Sequence, residues 1–199
     1  MNLEDYRTIF AVSGLILILV ASAPTLSLVV PFSGGGERFS ELWILGPNHM
    51  AEDYPFNVVN DTVYNVFLGI GNHMESSAYY MVYVKFRNQS EPLPNATAGT
   101  SSPLSPLYEC RVFLQDGKTW ETPLTFSFSG VSFFNNQSFV ESLVINDVVF
   151  SVDKSALWDE ENNGFYYQVF MELWIYNVGS DAFEFHNRFV GIWLNMTGV

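Results

Sequence analysis

The chain of 199 residues has one cysteine, three histidines and only 8 lysines and arginines. A lone Cys110 can form no internal disulfide, so a small domain stapled by bridges is excluded and the core must carry stability unaided. The 8 basic residues face 21 acidic ones, a formal charge of −13. Nucleic-acid affinity rests on clustered basic residues that neutralise phosphates, so this balance argues against nucleic acid as a partner. The same charge keeps an aromatic-rich surface soluble and suits a salt-exposed envelope.

Motifs for metals and catalysis are lacking too. His49, His73 and His186 lie in separate segments without H-x-H or H-x-x-x-H spacing, so no local zinc motif exists. A blue-copper site needs a His and a Met close behind its cysteine on one loop. Cys110 is followed by "RVFLQDGKTW", which has neither, and Cys110 is read as a core residue. No G-x-S-x-G elbow is present, and Cys110 falls mid-strand rather than at a helix N-terminus, where a thiolate would be stabilised. Glu172, on an aromatic strand face, is chemically able to act as an acid, but reads better as a solvated or paired strand residue. "DEENNG" at 159–164 is oxygen-rich but lacks the D-x-D-x-D-G register of a calcium loop, and reads as a turn. No catalytic residue, metal or cofactor is assigned, and the chain is not expected to be an enzyme.

What the chain does have begins with an uncharged run. From Thr8 to Val30 there are 23 residues without a charge, which at about 1.5 Å per residue spans the roughly 30 Å hydrocarbon core of a bilayer. Within it Ala21-Ser22-Ala23 looks like a signal-peptidase site. Against cleavage stand Glu4 and Asp5, which outweigh Arg7, and Pro24 just after the cut. The expectation is a retained single anchor helix over 1–32, inserted in the lipid bilayer through 8–30, with Ala21, Ser22 and Ala23 as a close-packing surface for a partner helix. Pro31 stops the helix, and Gly34-Gly35-Gly36 make 33–38 a flexible joint. Arg7 and Arg38 balance across the run, so the positive-inside rule gives no orientation. Five N-x-[S/T] sites, Asn60, Asn88, Asn95, Asn136 and Asn195, favour an outward, glycosylated domain over 39–199. The expected location is the cell membrane, single-pass, with the C-terminal domain outside.

Residues 37–199 show no long amphipathic helix; period-two alternation recurs instead. In "SAYYMVYVKFR", Ala78, Tyr80, Val82, Val84 and Phe86 form an apolar face and Lys85 and Arg87 lie opposite, as in a half-buried strand. "YECRVFLQDGKTWETPLTFSFSG" reads as two strands around an Asp116-Gly117 turn, with Cys110, Val112 and Leu114 inward on one and Leu124, Phe126 and Phe128 on the other. "GFYYQVFMELWIYN" places Phe165, Tyr167, Val169, Met171, Leu173 and Ile175 on one face. "RFSELWIL", "TVYNVFLGI", "INDVVFSV" and "AFEFHNRFVGIWLN" are further strands, and "NQSFVESLVI" is ambiguous between strand and short helix. Seven to nine short strands without intervening helices favour a mainly β chain: one transmembrane helix, then an antiparallel immunoglobulin-like β-sandwich. The second face of the 164–177 strand carries Tyr166, Phe170, Trp174 and Tyr176. Such a row is core if the strand is covered on both sides, and a partner interface or sugar-stacking platform if exposed.

"ERFSELWILGP", "YPFNVVNDTVYNVFLGIGNHM", "YYMVYVKFRNQS" and "FMELWIYNVGSDAFEFHNRFVGIWLNMTG" resemble, in order and content, the archaeal membrane proteins classed as domain of unknown function 1616. The resemblance runs over nearly all of 37–198, through an E-x-x-x-L-G-P opening, a G-I-x-N-H segment and a closing W-L-N-x-T. Family members are expected to place several membrane helices before the β domain, where this chain has room for one. No catalytic residues attach to these motifs. "NVGSDAF" is also similar to the strand-turn signature of adhesion-related sandwich domains.

The resulting expectation is a non-catalytic archaeal envelope protein whose outward sandwich binds a protein partner, such as a surface layer, another subunit of a membrane complex or a second copy. Two alternatives are a carbohydrate-binding surface module and a pilin-like filament subunit. "MNLEDYRT" lacks the basic cleavage site that pilin precursors carry before their apolar run.

Overall fold

In the computed structural model, residues 6–7, 9–18, 20 and 37–198 are described. The chain divides into two units, Met1–Arg38 and Phe39–Val199. In the first, residues 6–7, 9–18 and 20 are helical, and apolar side chains stand uncovered, Phe10 at 75% and Leu17 at 69% exposure. No helix among the described residues is long and apolar enough to cross a membrane. Ala21, Ser22, Ala23, Pro24 and the rest of the expected span to Val30 lie outside the described residues.

The second unit is mainly β, as the alternation requires. Its strands are β1 Phe39–Leu45, β2 Asn57–Val58, β3 Tyr64–His73, β4 Ala78–Asn88, β5 Tyr108–Leu114, β6 Thr119–Phe134, β7 Gln137–Ile145, β8 Val148–Asp159, β9 Gly164–Asn177 and β10 Ala182–Met196. They form one curled sheet along the path β1-β3-β6-β7-β8-β9-β10-β2, with β4 beside β9 and β5 beyond β4. All pairs are antiparallel except β2 with β10. The corner is at β8–β9, where only Trp158 and Asp159 pair with Phe165 and Gly164. Beyond it β10 runs along one edge of β9 and β4 along the other.

The two halves of the curl face each other across one core. Val66, Leu68, Ile70, Leu124, Phe126, Phe128, Leu143 and Ile145 come from one half. Tyr80, Val82, Val84, Phe86, Tyr167, Val169, Met171, Leu173 and Leu194 come from the other. Phe86 meets Phe128 with ring centroids 5.6 Å apart. Tyr167 OH lies 2.9 Å from Ser138 Oγ and donates to the Ser138 carbonyl at 3.0 Å, so its hydroxyl is satisfied although fully buried.

Turn chemistry explains the hairpins. Asn135-Asn136 (φ 49° and 60°) joins β6 to β7, and Asn146-Asp147 (φ 46° and 64°) joins β7 to β8. Two consecutive positive φ values make type I′ turns, whose twist matches the strands, and Asn and Asp tolerate that region best after glycine. "INDVVFSV" is therefore a turn followed by a strand, while "NQSFVESLVI" is strand β7.

The Asp116-Gly117 turn differs from expectation. It is a corner rather than a hairpin: β5 pairs with β4 and β6 with β3, so the chain crosses from one half of the sheet to the other. Asn72 decides this. Its backbone carbonyl accepts from Gly117 N at 2.7 Å and its N–H donates to the Lys118 carbonyl at 3.0 Å. Its side chain donates to the carbonyls of Ser76 and Leu114 and accepts from Met74 N and Tyr80 OH. A fully buried amide with every bond made fixes three chain segments at one point. Gly69, three strand positions earlier, lies under the Trp43 indole, and a Cβ there would overlap the ring.

Candidate binding face

β4 and β9 run side by side, and their outward side chains form a common face: Tyr79, Met81, Tyr83, Lys85 and Arg87 from β4, and Tyr166, Gln168, Phe170, Glu172, Trp174 and Tyr176 from β9. Lys85 and Arg87 are not solvated, as the alternation implied, but 3% and 5% exposed. The cause is the 89–107 segment, which folds back over the middle of this face. Lys85 Nζ lies 2.9 Å from Glu172 Oε2 and donates to the Ser102 carbonyl at 2.8 Å. Ser102 N donates to Glu172 Oε1 at 2.7 Å, and Trp174 Nε1 to Glu172 Oε2 at 3.2 Å. A buried ion pair is tolerated when further hydrogen bonds satisfy its remaining sites, and here the loop backbone supplies them. Glu172 is consumed by this latch. The paired reading of Glu172 holds, with burial that strand periodicity could not reveal.

The aromatic row of β9 is divided by the same loop. Phe170 is fully buried, Tyr166 emerges on one side, and Trp174 and Tyr176 on the other. At the Trp174 end the row widens into a cluster across three strands. Tyr83 meets Trp174 edge-on at 5.4 Å, Trp174 lies 5.9 Å from Phe185, Tyr176 5.4 Å from Phe183, and Tyr79 5.1 Å from Phe183. The Arg111 guanidinium sits 5.5 Å from the Phe183 ring centre. Tyr176 OH donates to Asp181, fixing the adjacent turn. Phe113, paired with Tyr79, is 64% exposed and Val178 in the turn 85%. Tyr79, Tyr83, Phe183 and Phe185 were not singled out from the sequence; alternation along "SAYYMVYVKFR" and "AFEFHN" is the signal that locates them.

At the Tyr166 end a hollow of about 340 Å³ is lined by Phe56, Gln89, Asp159, Asn162, Tyr166 and Trp193. Asp159 accepts from Asn162 Nδ2 and N, both at 3.0 Å, and from Glu161 N at 2.9 Å, bonds that hold its carboxyl below the ordinary value. "DEENNG" is thus a turn organised by Asp159. Behind the hollow, Arg87 donates to Gln168 Oε1 at 3.0 Å and to the Gln89 carbonyl at 2.8 Å, and its guanidinium lies 5.1 Å from the Trp193 ring centre. Gln89 Oε1 and Arg87 Nε are buried without a hydrogen-bond partner among the described residues.

The residues weighed for chemistry are dispersed. Cys110 packs against the core, and burial, then the Glu109 charge, pushes its thiol up to about 11. His49 contacts Glu121, His73 contacts Glu41, and His186 lies 2.9 Å from Ser40 Oγ. The Ser40–His186 contact has the elements of a nucleophile and base. Ser40, however, is 1% exposed, its Oγ also lies 2.7 Å from Tyr80 OH, and Tyr80 donates to Asn72, which makes the set an internal strut. Among the described residues, no group of three or more His, Cys, Asp or Glu gathers to hold a metal ion. Of the glycosylation motifs, Asn95 and Asn136 are exposed, whereas Asn60, Asn88 and Asn195 spend their Nδ2 groups on Asp61, the Ser155 carbonyl and Asn57.

Fold and face together define a β-rich domain with an aromatic outer surface. The chain belongs to the family described as Domain of unknown function (DUF1616), whose model matches residues 33–137. The match contains the E-x-x-x-L-G-P and G-I-x-N-H segments and ends at the start of β7, before the W-L-N-x-T closing motif. No curated protein matches the chain in sequence. Among solved structures, a β-glucosidase from Listeria innocua in complex with glucose is similar at 12% identity and TM-score 0.33, over 82% of this chain and 17% of that one. A second structure of a β-glucosidase from Listeria innocua gives 12% and 0.34, and one in complex with isofagomine 10% and 0.34, each over 82% and 17%. The chain thus spans 17% of the length of these structures.

Proposed function

We propose that the chain is a non-catalytic, membrane-anchored cell-envelope protein whose outward β domain docks a protein partner, such as a surface layer or another subunit of a membrane complex. In this reading the curled sheet is an immunoglobulin-like sandwich whose two layers remain joined at the β8–β9 corner. The observation that carries the docking reading is the cluster of Tyr79, Tyr83, Trp174, Tyr176, Phe183 and Phe185 beside exposed Phe113, with Arg111 stacked on it. Aromatic side chains and arginine are the residues enriched in the cores of protein interfaces. The uncharged run from Thr8 to Val30 and its uncovered helical side chains support the anchor.

Crosslinking in native membranes tests both parts. The full chain is expected to stay with the membrane through alkaline extraction and to yield a discrete crosslinked species that Phe183→Ala with Trp174→Ala depletes. The mass of that species separates a second copy from a different protein. A chain released by alkali and recovered only as free monomer overturns the proposal.

A further inference from the structure

We propose that the hollow beside Trp193 is a saccharide site that takes one neutral hexopyranose unit. It lies at the Tyr166 end of β9, away from the Trp174 cluster, and so goes beyond the docking reading. Its volume, about 340 Å³, is at the small end of the range for small-molecule sites, room for one ring rather than an extended chain.

The walls have two kinds of group. Trp193 at 42% and Phe56 at 48% exposure are large apolar surfaces left open to solvent, with Tyr166 6.1 Å from Phe56 at an interplanar angle of 41°. The C–H bonds on one face of a pyranose carry slight positive charge, and an aromatic ring presents negative charge to them. Arg87 over Trp193 and the 2.7 Å bond from Tyr166 OH to the Asn162 carbonyl hold two of these rings in place, so little ordering remains to be done on binding.

The polar groups are acceptors that need donors. Gln89 lines the hollow, and its Oε1, buried and unpartnered among the described residues, meets a donor there when the side chain turns toward the hollow. Asp159 uses three hydrogen bonds of roughly four available sites on its oxygens, leaving a place for one more donor. Sugar hydroxyls supply such donors around an apolar ring face. Charge selects among sugars: Asp159 lines the hollow, whereas Arg87, 5% exposed and set against the Trp193 ring, does not. An acidic sugar or a phosphate would meet the carboxylate with no cation among the lining residues to offset it.

The test uses the full chain in detergent with methyl glucoside, methyl mannoside, methyl galactoside and glucuronate, read by saturation-transfer NMR and tryptophan fluorescence. At least one neutral glycoside is expected to bind. Trp193→Ala and Gln89→Ala should each weaken it about tenfold or more, Trp193→Phe should stay within a few-fold, and Val149→Ser on β8 should have no effect. Glucuronate should bind about tenfold more weakly than the best neutral glycoside. Melting curves confirm that each variant is folded, and Trp193→Phe stands in where the alanine variant is not. Absence of neutral-glycoside binding, binding indifferent to both Trp193 and Gln89 substitutions, or preference for glucuronate overturns the site. None of these outcomes alters the crosslinked species expected from the Trp174 cluster, so the two readings fail separately.

Discussion

At the scale of single residues, environment rather than identity sets chemistry. Cys110 is read as core from its strand position, and its raised thiol agrees with an inert packing role. His186 has a depressed pKa, first through burial and then through the Arg188 charge. The folded state therefore favours the neutral ring, while the unfolded chain protonates near the ordinary value of about 6.5. The unfolded state then binds more protons, so this contribution is present above about pH 6.5 and is lost as the pH falls toward the lower folded value. Urea midpoints measured at pH 7.5 and 5.5 should drop on acidification, and His186→Gln should flatten that drop. Asp159 and Glu184, whose carboxyls are held below their ordinary values, lose their contribution only in more acidic solution, below about pH 4.5. An unchanged slope in His186→Gln would show that other groups set the acid sensitivity.

At the scale of elements, alternation located most strands correctly but misjudged what covers them. β4 reads as a strand with one polar face and the second face of β9 as either core or an exposed aromatic row, whereas 89–107 returns over the middle of both and buries Lys85, Arg87, Phe170 and Glu172 there. The latch makes a definite expectation. Lys85→Met leaves Glu172 buried and unpaired, which should cost about 3–5 kcal/mol in urea unfolding. Cleavage within 89–107 by a nonspecific protease should accelerate in the same variant, since the Ser102 carbonyl loses its cation. Equal protease sensitivity in both proteins would mean that the loop is held by its other contacts, such as Leu107 N to the Val84 carbonyl. The Asp116-Gly117 misreading has a similar origin. A turn sequence shows that the chain bends, but the buried bonds of Asn72 decide whether the flanking strands pair or part.

At the scale of the whole molecule, the glycosylation motifs test the outward placement. Asn95 and Asn136 are exposed, while the side-chain amides of Asn60, Asn88 and Asn195 are engaged in the fold. Glycopeptide mass spectrometry on protein from native membranes should find modification at Asn95 and Asn136 and at none of the other three. Glycans concentrated on Asn195 would contradict this fold-based sorting, and five unmodified sites would remove the sequons as support for an outward domain.

Read alone, the sequence determined a mainly β, antiparallel chain, the uncharged N-terminal run, the family and the inward residues of the strands. Each follows from local composition or a period of two. Tertiary structure alone decided which strands pair, how one loop buries Lys85 with Glu172, how the β9 row divides, and how Phe56, Gln89, Asp159, Asn162 and Trp193 come to line one hollow. Those residues lie up to 137 positions apart, from Phe56 to Trp193. No local pattern encodes such a meeting, because register, a corner and a returning loop set it together.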